Sequence, residues 1–359
     1  MYIRRFPVMC AVLSLLLVVA VLAGSCGRGG PPPPAPSAPG ELPAGGTGAP
    51  EVPVPKRPCP LCGQPVPENL VHRRPFALMI DNAPQARPQA GLGEACLVYE
   101  VLAEGGITRF LAFYLHEDPP KAGPVRSVRP YFLDLVLPLD AVLGHAGASE
   151  QGFADLRTLD VPHLDEIYGG GDAYWRVPPS ERKPPHATYT SGELFRAAMK
   201  KHKLEKEGPF PAPFPFRTGS KPAEQGKEAA LLTVYYPGGW QGYRVSYAYD
   251  KDTGRWLRSI NDDPHRDADG RVLWARNVVI HFVEMRRIPG DALLHMEAKM
   301  TGQGQAIVFS GGRYREGIWR KPARRSPAVY RDDKGEPLEL EPGPTWVLVV
   351  PVGTRVEIR

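Results

Sequence analysis

Cysteine is scarce in this sequence, with five among 359 residues. That excludes a small fold stapled by a dense disulfide framework. Charge of one sign is scarce as well: 44 Lys and Arg stand against 39 Asp and Glu, a formal net charge of +5. No concentrated basic stripe accompanies that excess, so nucleic acid is excluded as a partner. Long apolar runs are missing except for one at the amino end, which excludes a multi-span membrane protein. Proline and glycine, in contrast, are abundant at 42 and 38 residues. They are spread without a collagen period, and the 42% hydrophobic share suffices for real cores.

The amino end supplies an address. Arg4 and Arg5 precede the apolar run from Phe6 to Gly24, and Ala23-Gly24-Ser25 lead directly into Cys26. A charged start, an apolar middle and small residues before a cut form a secretory signal. The cysteine after the small residues resembles a lipobox, with Ala23 where Leu is usual and Leu22 one place earlier. Residues 1–26 are expected to be a lipoprotein signal peptide, with Cys26 carrying acyl chains such as palmitate. A plain membrane-spanning anchor is the alternative reading of the same run. Either reading tethers the body to the cell membrane on its extracytoplasmic face. Residues 27–58, rich in Pro and Gly with few large apolar side chains, are expected to form an extended, disordered stalk.

Two bodies are expected beyond the stalk, giving an α+β protein. Residues 59–202 read as a mixed α/β domain. Phe76–Ile80, Leu97–Leu102 and Thr108–Leu115 are apolar strand runs, the last two joined by a Gly105-Gly106 hairpin signal. Pro130 opens a helix, Ser149 caps another, and Thr190 with Glu193 forms a capping box for a third. Residues 203–228 read as a linker. Residues 229–359 show repeated short strands between Gly turns, which predicts a mainly antiparallel β domain.

Residues able to carry chemistry concentrate in the first body. Arg126 and Arg129 flank a helix start at Pro130, where guanidinium groups and free N–H groups suit a phosphate or carboxylate. The same arginines could instead pair with Glu100, Glu104 or Asp134. His145 follows a strand, and His186 sits in a stiff Lys183-Pro-Pro-His loop, so the two histidines are candidates for acid–base work or metal ligation. Ser149 fails the nucleophile-elbow spacing and reads first as a helix cap. Glu100 and Glu104 flank the hairpin and are candidate ligand contacts. Cys59-Pro-Leu-Cys62 reads as one zinc knuckle lacking its second C-x-x-C, so a local disulfide or free thiols come before zinc shared with a histidine or a second chain. No cofactor is otherwise expected. The segment Asp262–Gly270 around His265 reads as a solvated turn. The aromatics Trp240, Tyr243, Tyr247, Tyr249 and Trp256 read as strand core rather than a sugar platform.

Several long blocks resemble the YerB-like family of bacterial lipoproteins, which carries a domain of unknown function. They are Arg74-Pro-Phe-Ala-Leu-Met-Ile-Asp-Asn82, Val98 to Phe110, Gly123-Pro-Val-Arg-Ser-Val-Arg-Pro130, His145-Ala-Gly-Ala-Ser149 and Pro342-Gly-Pro-Thr-Trp346. The resemblance runs from about Cys59 to the end. It implies two domains and an extracytoplasmic tether, and it supplies no activity or catalytic residue. Cys62 departs from the pattern expected of other members.

These features together predict a non-catalytic envelope module. Arg126, Arg129, His145 and His186 are expected to line one cleft that binds peptidoglycan, another anionic or glycan wall polymer, or an envelope protein partner. The alternative is a wall hydrolase or transferase that uses the histidines as acid and base, with the arginines steadying developing charge.

Overall fold

Residues 54–218, 226–238 and 242–359 are described by a computed structural model. The signal segment, Cys26, nearly all of the stalk and Trp240 lie outside the described residues. Strands dominate and helices are few. Among the described residues, no helix is long and apolar enough to cross a membrane.

In chain order the main strands are β1 (Phe76–Asp81), β2 (Leu97–Leu102), β3 (Thr108–Tyr114), β4 (Val142–His145), β5 (His163–Asp165), β6 (Leu231–Tyr235), β7 (Arg244–Asp250), β8 (Arg255–Ile260), β9 (Asn277–Val283), β10 (Gly302–Ser310), β11 (Arg313–Lys321), β12 (Thr345–Pro351) and β13 (Arg355–Ile358). The main helices are α1 (Pro130–Val136), α2 (Glu150–Thr158) and α3 (Gly192–Lys201). One large sheet runs in the order β11-β10-β9-β12-β2-β3-β1-β4-β5. A smaller sheet runs β8-β7-β6-β13.

The large sheet takes strands from both halves of the chain, and β12 makes the join. It lies parallel to β9 on one side and to β2 on the other, with Trp346 opposite both Val278 and Val98. The carboxyl half is therefore not purely antiparallel. A parallel strand in mid-sheet is buried on both faces, which explains why Thr345-Trp-Val-Leu-Val-Val350 is a continuous apolar run without polar alternation.

Alternation along each strand divides the core into two faces. Ala77, Met79, Val347 and Val349 pack with Phe132, Leu133 and Leu156 of α1 and α2. Phe76, Leu78, Ile80, Trp346 and Leu348 face the other way, against Phe195 of α3 and Leu232, Val245 and Trp256 of the smaller sheet. Each fully buried aliphatic or aromatic side chain contributes about 1.5–3 kcal/mol, and the sandwiched sheet buries such side chains on both faces.

Three expectations need correction. Lys56–Pro58, assigned to the stalk, pairs with Pro65–Pro67 as a short hairpin. The expected linker docks onto the body: Phe210 and Phe214 are buried, and Phe216 bridges to Leu340. The α3 cap is Ser191, whose hydroxyl accepts from Leu194 N at 3.1 Å, rather than Thr190. Thr190 is held one residue short of the helix by backbone pairing with Ala122, and its buried hydroxyl donates to Ala173 O at 2.6 Å.

Candidate functional site

Asp81 ends β1 and is 2% exposed. Its Oδ2 accepts from His186 Nδ1 at 2.6 Å and lies 3.1 Å from Arg126 Nε, while Oδ1 accepts from Ala83 N at 2.9 Å. Burial alone would raise its pKa. The His186 hydrogen bond and the Arg126 charge outweigh burial and hold the carboxyl below the usual range. Because the ionised carboxylate only accepts, His186 donates through Nδ1.

The backbone that brings these groups together is a crossing of three segments. Residues 122–128 pair with β1 through Ile80 and Val125, with Ala90 through Gly123, and with Thr190 through Ala122. Gly123 is required at this crossing: its φ is +144°, and a Cβ there would sit 2.8 Å from Thr188 O.

His186 lines an open cleft of about 860 Å³ together with Arg87, Lys121, Glu181, Arg182 and Lys183. Arg87 donates to the side chain and carbonyl of Asn82, and Arg182 donates to the carbonyls of Gln85 and Pro88. Those acceptors are neutral, and neither guanidinium sits in an ion pair among the described residues. Lys121 lies over the Tyr189 ring at 4.4 Å and 3.6 Å from Glu181, the cleft's lone carboxylate among the described residues. Lys183 is exposed and pairs with no carboxylate among the described residues.

The four side chains expected to line one cleft do not meet. Arg126 and His186 converge on Asp81, but Arg126 is not part of the cleft lining. Arg129 turns to Glu104, which also receives Arg109 Nη2 at 2.7 Å. Burial would raise Glu104, yet Arg109 and Arg129 hold it below its usual value. His145 is fully buried, with Nδ1 2.9 Å from Gly147 O and Nε2 3.0 Å from His163 Nδ1. Burial pushes it down to about 4, so it is a neutral structural group that cannot reach a ligand. Ser149 Oγ accepts from Gly152 N at 3.2 Å and caps α2.

Glu100, expected as a ligand contact, lies instead inside a closed network. It accepts from Thr108 Oγ1 at 2.8 Å, from Tyr243 OH at 2.6 Å and from Arg258 Nη2 at 2.8 Å. Arg258 is fully buried and stacks 4.7 Å from the Trp346 ring. His265 also joins this network, accepting from Arg258 Nε at 3.0 Å, so its segment is not a solvated turn there. Tyr243, Tyr247 and Trp256 are core residues.

Cys59 and Cys62 form no disulfide. They meet Cys96, just before β2, and His116, just after β3. Hydrogen bonding from Cys62 and then Cys96 holds the Cys59 thiol far below its usual value despite burial, and the other two thiols are pushed up.

Sequence reasoning weighed Asp81 only as a strand-end carboxylate, and it missed Arg87, Lys121 and Arg182 as site residues and Cys96 and His116 as companions of the knuckle. One signal was readable for the last group, an odd cysteine left over after the C-x-x-C pair.

Comparison with known proteins places these features in a family. Residues 61–205 match the family described as "Protein of unknown function (DUF3048) N-terminal domain", and residues 233–347 match its C-terminal domain. A Bacillus subtilis (strain 168) protein named "Putative lipoprotein YerB" is 33% identical over 296 residues, covering 81% of this chain and 86% of that protein. The crystal structure of the YerB protein from Bacillus subtilis superposes with a TM-score of 0.74 at 29% identity, covering 83% of this chain and 98% of that one.

Proposed function

This chain belongs to the DUF3048 family, and from that premise we propose that it is a lipid-anchored envelope protein whose cleft beside Asp81 and His186 binds an anionic wall polymer. The anchor reading is supported by Cys26 after a small-residue cut site and by the relative named a lipoprotein. Such an anchor holds the body on the extracytoplasmic face of the membrane. The binding reading is carried by one observation: Arg87, Lys121, Arg182 and Lys183 line an open cleft whose single described carboxylate is Glu181. An excess of cations in a concave site focuses the field on an anion and speeds its capture.

The test is binding of a polyphosphate chain to the full-length protein in detergent, with a polycarboxylate of equal length as the second arm. Lys121→Ala with Lys183→Ala should weaken binding roughly tenfold, about 1.4 kcal/mol, and flatten its dependence on salt. Unchanged affinity in a folded double variant would sink the proposal.

A catalytic reading has one observation in its favour, the Asp81–His186 dyad at the cleft, which is built like an oriented general base. The His145–His186 pair does not form, and Ser149 is engaged as a cap. Under this reading wall fragments would be cleaved by the wild type and not by His186→Ala. Binding without turnover keeps the module reading ahead.

A further inference from the structure

We propose that Cys59, Cys62, Cys96 and His116 form a closed tetrahedral site for one zinc ion, which fastens the amino-terminal hairpin to the central sheet. The four ligand atoms all lie within 4.8 Å of one another, and Cys62 Sγ is 3.3 Å from His116 Nε2. Tetrahedral zinc with bonds of about 2.3 Å to sulfur and 2.0 Å to nitrogen spaces its ligands by roughly 3.5–3.8 Å, so small side-chain shifts complete the geometry. An iron–sulfur cluster would hold its thiolates further apart than this. Three thiolates and one imidazole favour a soft, four-coordinate cation and leave no open position, the signature of a structural rather than a catalytic metal.

The fold around the site points the same way. Cys59 and Cys62 lie in the tip joining Lys56–Pro58 to Pro65–Pro67. Loop tips normally face water, yet Cys59, Leu61 and Cys62 are 1%, 0% and 0% exposed. Gly63 closes the turn: its N–H donates to Cys59 O at 2.7 Å, its φ is +72°, and a Cβ would strike the Phe216 ring. The other two ligands come from the start of β2 and the end of β3, neighbouring strands of the large sheet. Arg73 and Arg196 both donate to Leu115 O, beside His116, and both pair with Asp118. They fix the His116 backbone and set positive charge near a site that would carry net negative charge when filled.

Cysteine number adds an independent argument. Any disulfide among three clustered thiols leaves one unpaired, a poor arrangement if the proposed anchor holds the chain on an oxidising face. One zinc ion uses all three.

The experiment is elemental analysis of the full-length protein, purified in detergent without chelator from zinc-replete cells. The expected result is one zinc per chain, falling to near zero in Cys96→Ser and retained in His116→Cys. Cobalt exchanged into the wild type should give the visible absorption of a tetrahedral thiolate site, and stripping the metal should lower the unfolding midpoint. A wild-type protein that holds no zinc, or whose peptides show a Cys59–Cys62 disulfide, would overturn the proposal without reference to any variant. Anion binding in the cleft is read separately, so either conclusion can fail alone.

Discussion

Asp81 and Glu100 belong to strands of one sheet, and each is at most 2% exposed, yet their surroundings differ. Around Glu100 every partner is buried: Thr108 and Tyr243 donate to Oε1, and Arg258 donates to Oε2. Around Asp81 the partners reach the surface, with His186 and Arg126 side chains 17% and 25% exposed. The same chemistry, a carboxylate with a cation, is a fastener in the first place and a handle in the second. What separates them is whether the cation has an open side.

The contrast can be broken most directly at Arg258. Replacing it in Arg258→Met leaves Glu100 buried without its cation and should cost about 3–5 kcal/mol in urea unfolding. Adding Glu100→Gln to that variant should recover part of the loss. A cost of about 1 kcal/mol or less would show that the closed network is not a fastener.

Acid should act on the buried His145. His145 has a folded value of about 4, below the ordinary 6.5. Between those values the unfolded chain takes up a proton that the folded chain refuses. The stabilising contribution is therefore intact above about pH 6.5 and lost as pH falls toward 4, by about 3 kcal/mol in full. Unfolding free energies at successive pH values should show this slope in wild type and a shallower one in His145→Gln. Equal slopes would remove His145 from the account.

Ser149→Ala should cost about 1 kcal/mol through the lost α2 cap, with ligand binding unchanged. Loss of binding at unchanged stability would return Ser149 to the site. The smallest expected change is Lys183→Ala, within about 0.5 kcal/mol of wild-type stability because the side chain is exposed and forms no ion pair among the described residues. Its effect should appear in anion affinity alone.

Much of the strand pattern was legible from residues. The apolar runs at Phe76–Ile80, Leu97–Leu102 and Thr108–Leu115 became β1, β2 and β3, and nearly every strand expected after residue 229 formed. Local chemistry was also readable at Ser149, though the capping position before α3 was placed one residue early. The parallel insertion of β12 was not legible, because Trp346 pairs with Val278 and Val98, far from it along the chain, and such pairing leaves no mark on local periodicity. The site was harder still. His186 and Asp81 are 105 residues apart, Cys62 and His116 are 54 apart, and Glu100 and Arg258 are 158 apart. Residue type announced that Arg126, Arg129 and His145 wanted partners. Glu104 was among the carboxylates the sequence offered to the arginines, and it holds Arg129, but residue type could not say that Asp81 and His163 would meet Arg126 and His145.

The placement of β12 also constrains how the molecule comes into being. A chain threaded amino end first, from a ribosome or through an export channel, delivers β2 and β9 long before the strand that must slot between them. Until residue 351 has emerged, two long edges of the central sheet stay unzipped and exposed to mispairing. A truncation that trims only the tail should therefore abolish assembly of the whole body, including the earlier-made region that carries the cleft beside His186.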